Sequence, residues 1–409
     1  MKILLINKFY YLAGGRERYL FAWEKMLREY GHDVMVFSMS HPRNRPCAQS
    51  KYFIKNVSFD ADQSPFAKLR TAAHALWSAE ARRKLEALLQ AEDPPDIAHV
   101  RSYLFQLTPS ILKPLKQRNI PIVQSCPDYA PICVNQHLYN DRTHALCEAC
   151  LRNGQLAPLR QRCMKGSFTA SAAGCLAGFV DRRLVGSRRR IDRYVASSAF
   201  MRNKLIEGGL PRERVAHVPH FINAKDIEPA EGTGEYMLFF GRLVPQKGIR
   251  TFLEAAARLP RVPCKVLGGG PLEAEVRARI AERNLNHVTC LGHCEGDALW
   301  KTVRHARAVV VPSEWYEPFG LVILEAMAAS RPVIATTLAG PGEIVTDGED
   351  GLLVPPRDPE ALAQAMERLW SDAALARELG QRGRERVVVE YAPDVHYRRL
   401  MRLFEEVLR

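Results

Sequence analysis

Residues 1–38 read MKILLINKFYYLAGGRERYLFAWEKMLREYGHDVMVFS. The apolar run over residues 2–7 predicts a buried strand, and two glycines, Gly14 and Gly15, follow it. Apolar residues then recur at helical spacing up to a second apolar run over residues 33–38. A strand, a helix and a strand in this order indicate a parallel sheet with helices on both of its faces.

The same alternation continues in two blocks that a stretch without periodicity, residues 223–235, separates. In the first block, further strands are predicted at residues 97–100, 120–124, 193–196 and 215–218. In the second block, they are predicted at residues 236–240, 264–267, 288–291, 308–311 and 333–336. We therefore expect an α/β fold of two doubly wound, Rossmann-like domains that face each other across a cleft. The first is assigned residues 1–223, with a cysteine-rich insertion at about 126–175, and the second residues 224–386.

The composition limits where the protein works. The chain has 409 residues, a net charge of +13 and ten cysteines. The sequence has no apolar run long enough to span a membrane, and residues 1–7 are too short for a secretory signal, so we expect a cytoplasmic protein with free or metal-bound thiols. Residues 151–204 hold twelve basic and two acidic side chains. This charge indicates either a solvated surface or a dock for an anionic membrane face or a phosphate-bearing acceptor, and no nucleic-acid module is recognisable.

Three turns after predicted strands carry residues suited to phosphate. Gly14 and Gly15 let the backbone and the helix N–H groups approach an anion. Their spacing, like that of residues 268–270, is not G-x-G-x-x-G, which argues against a nicotinamide oxidoreductase. The stretch GRLVPQKG, residues 241–248, places Arg242 and Lys247 on one loop, where they could neutralise a diphosphate or form a solvated surface.

The stretch SEWYEPFGLVILE, residues 313–325, adds carboxylates to these cations. Pro318 fits a first helical position, and Gly320 and Leu321 then offer free N–H groups to an anion. At 100° per residue, Glu325 faces the same way as the helix start, so Glu317 and Glu325 line one wall of the site. Carboxylates accept hydrogen bonds from sugar and ribose hydroxyls, although helix capping by Glu317 and surface exposure of Glu325 would explain the pattern without function.

The second block resembles the retaining glycosyltransferases of family 4, also called group 1, which have two Rossmann-like domains in the GT-B arrangement. The motifs that carry the resemblance are G-R-x-x-x-x-K-G at residues 241–248, L-G-x-G-P at 267–271, E-x7-E at 317–325, and a Pro-Val-Ile strand at 332–334. The resemblance covers nearly the whole chain and is strongest over residues 236–355. It also implies a final helix, at about residues 387–409, that crosses back and completes the first domain.

The resemblance implies a role for each matching residue. Gly14 and Gly15 would face the donor phosphates, and Arg242 and Lys247 would hold the diphosphate. Glu325 would bind the ribose hydroxyls and Glu317 the transferred sugar. Backbone groups of Phe319, Gly320 and Leu321 would contact sugar and phosphate.

One position departs from the family pattern. A histidine commonly follows the strand that corresponds to residues 120–124, whereas this chain has Pro127 there. Asp128 or His99 could replace this histidine, or activity could be reduced. We assign Asp128 a catalytic role together with Glu317, Arg242 and Lys247.

The insertion contains four cysteines, Cys133, Cys147, Cys150 and Cys163. The two-residue gap between Cys147 and Cys150 is typical of structural zinc sites, and the flanking cysteines could complete four sulfur ligands. The alternative is a loop of free thiols.

The sequence therefore predicts a retaining, metal-independent glycosyltransferase. Its donor would be a UDP- or GDP-sugar, and its acceptor a glycan, a lipid-linked sugar or a small molecule in cell-surface polysaccharide or glycolipid synthesis. The alternatives are a sugar-nucleotide epimerase or phosphorylase on the same fold, or a catalytically weak nucleotide-sugar-binding protein. We expect it in the cytoplasm, with a possible peripheral position on the inner face of the membrane.

Overall fold

The first half of the chain folds around a six-stranded parallel sheet. The computed structural model describes residues 1–57, 73–154 and 156–409. Within these residues the first-half strands are β1 (Lys2–Ile6), β2 (Asp33–Phe37), β3 (Ile97–Val100), β4 (Ile122–Ser125), β5 (Tyr139–Asn140), β6 (Ala145–Leu146), β7 (Arg193–Ala196) and β8 (Val215–His217). The sheet order is β2-β1-β3-β4-β7-β8, while β5 and β6 form a separate antiparallel pair. The order reverses between β1 and β3, which is where doubly wound sheets bind ligands.

Three of the first-half helices in the described residues begin at a serine cap. The first-half helices are α1 (Gly15–Glu29), α2 (Ala79–Ala91), α3 (Leu112–Gln117), α4 (Ala149–Arg152), α5 (Ala157–Gln161), α6 (Phe168–Phe179), α7 (Ser187–Arg190) and α8 (Ala199–Glu207). Ser78 Oγ accepts a hydrogen bond from the Ala81 amide at 3.1 Å, and Ser198 Oγ accepts one from the Met201 amide at the same distance. Helix α1 follows Gly14 directly and packs its apolar stripe against β1.

The second half repeats the architecture. Its strands are β9 (Tyr236–Phe240), β10 (Cys264–Leu267), β11 (Val288–Gly292), β12 (Ala306–Val311), β13 (Val333–Thr336) and β14 (Gly351–Val354). Its helices are α9 (Ile249–Ala256), α10 (Glu273–Glu282), α11 (Gly296–Arg304), α12 (Leu321–Ala328), α13 (Ala339–Ile344), α14 (Pro359–Ser371), α15 (Ala373–Glu390) and α16 (Pro393–Leu408). The order β11-β10-β9-β12-β13-β14 is that of a Rossmann sheet, with its reversal between β9 and β12. The prediction of two doubly wound, Rossmann-like domains is confirmed.

The chain returns to the first half at its C-terminal end. Helix α16 buries Leu400 and Phe404 in the core that also contains Leu5 and Trp23. The predicted final helix starts too early, because Val387 still belongs to α15. Pro393 cannot donate an N–H bond and starts α16 instead.

The stretch predicted as a linker, residues 223–235, is held against the second half. The Arg331 side chain donates to the carbonyl of Gly232 at 3.1 Å and to that of Glu231 at 3.2 Å. The boundary between residues 223 and 224 stays a prediction. No helix in the described ranges combines the length and the apolar character that crossing a membrane requires.

Candidate active site

The strand ends of the two sheets meet along one cleft. Ser197 Oγ, after β7, donates to the Pro318 carbonyl of the other half at 3.1 Å. Glu343, on α13, accepts a hydrogen bond of 2.8 Å from the Ala199 amide at the start of α8. Both sheets direct the carboxyl ends of their strands to this seam. The loops that the sequence analysis predicted to bind phosphate and sugar therefore lie around it.

Two glycines allow the loops of the second half to pack closely against one another. Gly248 has φ 69°, and a Cβ there would lie 1.8 Å from the Pro312 carbonyl oxygen. Gly268 has φ 142°, and its Cβ would lie 1.9 Å from the Gly241 carbonyl oxygen. Only glycine tolerates both the conformation and the contact, so the turns after β9, β10 and β12 pack backbone against backbone.

Glu317 lies at the centre of the site and is 7% exposed. One of its oxygens pairs with the Lys247 ammonium, and the other accepts a hydrogen bond from the Ser313 hydroxyl. The structure thus brings together a predicted sugar ligand and a predicted phosphate ligand. Lys247 remains partly exposed and Arg242 is exposed, so both cations can reach an anion in the cleft.

Glu325 lies one turn inside α12, and the Arg18 guanidinium contacts it across the cleft at 3.0 Å. Burial raises the pKa of the Glu325 carboxyl, and the charge of Arg18 opposes that shift. Glu325 is therefore a largely buried carboxylate whose ion-pair partner comes from the first half, which agrees with a position inside the cleft rather than on the outer surface.

The prediction for the start of α12 is wrong. The helix begins at Leu321 after Gly320, which has φ 116°, and Pro318 lies in the preceding loop. The reason is the contact with Ser197, which holds the Pro318 carbonyl in that loop. Gly320 and Leu321 still lie at the helix N-terminus, while Phe319 is buried with its ring against His220.

On the first-half wall, Gly14 and Gly15 are exposed at the start of α1. Asp128 is buried, pairs with Arg16 at 3.2 Å, and accepts a hydrogen bond from the Ala130 amide at 3.1 Å. His99, the alternative to Asp128, lies inside the domain, is 1% exposed, and shares a hydrogen bond of 2.7 Å with Ser125 Oγ. Its other ring nitrogen, Nδ1, is buried without a hydrogen-bond partner among the described residues, and its ring lines a small cavity with Pro127 and Ser197, so its role stays a prediction.

Sequence reasoning missed a polar cluster between the insertion and Glu317. The Tyr129 hydroxyl, His137 Nδ1 and Trp315 Nε1 are buried and have no hydrogen-bond partner among the described residues. The rings of His137 and Trp315 contact each other across the cleft at 5.5 Å. Buried polar atoms without partners are costly, so these three suit the hydroxyls of a bound molecule.

Backbone strain supports a role for His137. Its neighbours Gln136 and Leu138 have φ values of 68° and 48°, which are uncommon for residues other than glycine. Burial lowers the pKa of His137, Asp128 opposes this, and the charges of Arg16 and Arg242 lower it further. A neutral imidazole thus lies among charged groups from both halves. One signal was visible in the sequence, a histidine in the loop after Asp128.

The four predicted zinc ligands lie near one another but do not form a metal-binding group among the described residues. Cys133 and Cys150 share a hydrogen bond, which lowers the pKa of Cys150 to about 7, while Cys147 and Cys163 are further neighbours. In residues 1–57, 73–154 and 156–409, no three or more His, Cys, Asp or Glu side chains are arranged to hold a metal ion. As placed, the thiols do not fit zinc, and zinc binding stays a prediction.

Two family profiles together match residues 14–386. Residues 14–220 match the family described as glycosyl transferase 4-like domain, and residues 221–386 match glycosyl transferases group 1. An uncharacterized glycosyltransferase of Methanocaldococcus jannaschii is 34% identical over 194 residues, which are 47% of this chain and 54% of that protein. The O-antigen chain mannosyltransferase C of Escherichia coli is 32% identical over 213 residues, 49% of this chain and 55% of that protein. The chain thus spans about half the length of these relatives.

Solved structures match over the whole chain. Sucrose-phosphate synthase from Thermosynechococcus elongatus has a TM-score of 0.72 at 23% identity and covers 99% of this chain and 98% of its own. Anabaena HepE, solved in complex with UDP, has a TM-score of 0.70 at 16% identity, with 99% and 100% covered. These likenesses agree with the two-domain fold, and the profile over residues 14–220 spans half of the chain. The protein belongs to the group 1 glycosyltransferases, the family 4-like enzymes.

Proposed function

We propose that the protein transfers a sugar from a nucleoside diphosphate sugar to an acceptor and retains the configuration at the anomeric carbon. The observation that carries the proposal is the convergence of Lys247, Glu317 and the N-terminus of α12 beside the exposed Arg242. This arrangement offers cations and N–H groups to a diphosphate and a carboxylate to sugar hydroxyls.

The donor class is proposed as a UDP- or GDP-sugar. HepE was solved with UDP and with UDP-glucose, and Staphylococcus aureus TarM with UDP, which supports a uridine nucleotide. The relatives include a mannosyltransferase for O-antigen and a glycosyltransferase of lipopolysaccharide core synthesis. These names favour an acceptor in cell-surface polysaccharide or glycolipid synthesis.

In the proposed reaction, an acceptor hydroxyl oxygen bonds to the anomeric carbon as the bond between that carbon and the diphosphate oxygen breaks. The bonding electrons stay with the leaving diphosphate, where negative charge grows and which takes up the hydroxyl proton. Arg242 and Lys247 stabilise this charge without a divalent cation, because both are positively charged and reach the cleft. Lys247 must exchange Glu317 for phosphate when the donor binds. That exchange frees a Glu317 oxygen for the sugar.

His137 and Tyr129 are proposed to take the place of the histidine that Pro127 replaces. Their buried polar atoms without hydrogen-bond partners support this proposal. Burial raises the pKa of Tyr129 most, and nearby charges that include the Glu317 carboxylate raise it further. Asp128 keeps its proposed catalytic role beside them, and its ion pair with Arg16 must open, as that of Glu317 with Lys247 must, when a donor binds.

Donor turnover tests the proposal. The purified protein is incubated with UDP- and GDP-sugars with and without a membrane extract from cells that make surface glycans, in EDTA and in Mg²⁺. We expect release of UDP or GDP with one donor, faster with acceptor and equal in EDTA and Mg²⁺, and a product linkage of unchanged anomeric configuration by NMR. An inverted product or a strict Mg²⁺ requirement would contradict the mechanism.

The same assay separates the alternatives. Conversion of the donor into an isomeric nucleotide sugar would indicate an epimerase, and release of a sugar 1-phosphate with inorganic phosphate would indicate a phosphorylase. Donor binding without any nucleotide release would identify a binding protein. We further propose that transfer takes place in the cytoplasm, at the inner face of a membrane.

A further inference from the structure

Exposed apolar side chains concentrate in the insertion between β4 and β7. Of the thirteen exposed large hydrophobic side chains in the described residues, six lie between residues 146 and 184. Five of these six are 50% to 69% exposed: Leu156, Phe168, Leu176, Phe179 and Leu184. Single exposed apolar residues are ordinary, but such a cluster on one short segment is not.

Three of these side chains follow one face of a helix. At 100° per residue, Phe168, Leu176 and Phe179 fall within a sector of about 80°. A π turn, Val180–Leu184, continues α6 without a break and carries Leu184, which is exposed but lies outside this sector on the same count. Leu156 immediately precedes α5, and α5 packs against α6.

Basic residues are concentrated in the same segment, and its one acidic residue is buried. Residues 156–190 contain eight basic residues and one acidic residue, Asp181. Asp181 is buried and accepts hydrogen bonds from the Tyr103 hydroxyl at 3.1 Å and the Ser187 hydroxyl at 2.9 Å. The exposed cations of the segment are Arg160, Arg162, Lys165, Arg183 and Arg189.

We propose that this apolar and basic face, formed by α5, α6, the π turn and α7, docks on the surface of an anionic lipid bilayer. A helix with aromatic and aliphatic residues on one side and arginines at its borders lies in the bilayer interface, where the apolar groups enter the acyl boundary and the cations meet anionic headgroups. Nucleic acid would leave the phenylalanines and leucines in water. A lipid bilayer accommodates both the apolar and the basic residues of this face.

The proposed membrane-binding face lies on the same segment, between β4 and β7, that reaches the cleft. The insertion supplies Tyr129 and His137, and the His144 carbonyl accepts a hydrogen bond from Arg357 of the second half. A membrane-bound insertion would therefore hold the acceptor side of the cleft near the bilayer, which suits a lipid-linked acceptor. This last step rests on the proposed function, whereas docking itself does not.

Flotation of the full chain with vesicles tests the dock independently of activity. Neutral phosphatidylcholine vesicles are compared with vesicles that contain phosphatidylglycerol, at low and high salt. We expect the wild type to float with the anionic vesicles only, and less at high salt. Phe179→Ser with Leu184→Ser, and Arg183→Glu with Arg189→Glu, should each weaken partitioning by about tenfold or more.

Matched changes elsewhere serve as controls. Val388→Ser with Val389→Ser removes exposed apolar side chains from α15, and Arg261→Glu with Arg283→Glu reverses exposed charges of the second half. These variants should float like the wild type, and all variants should keep its melting temperature. Equal flotation with neutral vesicles, no flotation of the wild type, or full flotation of the insertion variants would overturn the proposal.

Discussion

The guanidinium of Arg18 and the carboxylate of Glu325 pair at 3.0 Å across the cleft, although 307 positions separate them in the chain. Arg18 is on α1 of the first half, and Glu325 is on α12 of the second half. The proposed ribose ligand is thus occupied by an arginine in this structure. A donor must replace this ion pair, so the two residues should affect donor affinity in opposite directions.

We therefore predict that Arg18→Ala strengthens donor binding, by at most about fivefold, because a half-exposed ion pair is worth roughly 0.2–1 kcal/mol. Lys25→Ala, which removes an exposed pair with Glu29 from the same helix, is the control and should change nothing. Calorimetry with the nucleoside diphosphate measures both. Weaker binding in Arg18→Ala would mean that Arg18 is itself a donor ligand.

Glu317 and Glu325 should fail differently when changed to glutamine. Glu325→Gln should mainly raise the donor KM, since ribose hydroxyls are bound equally before and during transfer. Glu317→Gln should mainly lower kcat, because positive charge grows on the sugar beside it. Steady-state kinetics decide, with the exposed Glu282→Gln as control. Full turnover in Glu317→Gln together with lost kcat in Glu325→Gln would exchange the two roles.

Stability should depend on the protonation of a buried histidine. Burial lowers the pKa of His396 from 6.5 to about 4, and its Nδ1 lies 2.7 Å from the Pro219 carbonyl. The unfolded chain takes up this proton at higher pH than the folded one. The stability that depends on neutral His396 is therefore fully present above pH 6.5 and is lost as the pH falls towards 4.

The loss over that range should reach about 3 kcal/mol, at about 1.4 kcal/mol per pKa unit. Urea unfolding of the wild type and of His396→Gln at several pH values isolates this histidine from the carboxylates that also titrate. The variant should lose less stability on acidification. Parallel pH curves for the two proteins would show that His396 does not titrate differently in the two states.

Zinc binding by Cys133, Cys147, Cys150 and Cys163 is predicted by their spacing alone. One zinc per chain in protein purified without chelator, and a lower melting temperature after its removal, would support it. The exchange Cys290→Ser, outside the insertion, is the control and should leave the metal content unchanged. Absence of zinc together with thiols that titrate in the folded protein would show instead that the four cysteines are free thiols.

Local patterns predicted most of the fold, and long-range contacts account for what they missed. Strands such as Cys264–Leu267 and Val333–Thr336 were predicted to the residue, since a buried parallel strand needs a continuous apolar run. Pro318 was placed in a helix because nothing near it shows the bond from Ser197, 121 positions earlier. Strand β14, Gly351–Val354, was not among the predicted strands.

In the site, too, some features have a local sequence signal and others depend on long-range contacts. Lys247 and Glu317 could be predicted as neighbours because each follows a strand of one sheet at its carboxyl end. The pairing of Glu325 with Arg18 depends on how the two halves close. The pairing of Asp128 with Arg16 joins residues 112 positions apart within the first half, and neither pair has a local signal. His137 was missed because its position depends on two left-handed residues, Gln136 and Leu138, that no sequence rule places there.

Nucleotide binding to Arg242→Ala and Lys247→Ala tests the central claim most directly. Calorimetry compares the nucleoside diphosphate with the nucleoside for both variants and for Arg261→Ala, an exposed arginine of the same half, as control. A charge-assisted hydrogen bond is worth roughly 1.5–3 kcal/mol, so the diphosphate should bind about tenfold to a hundredfold more weakly in each variant, with nucleoside affinity kept. Unchanged diphosphate affinity in both variants would remove the two cations from the site and contradict the account.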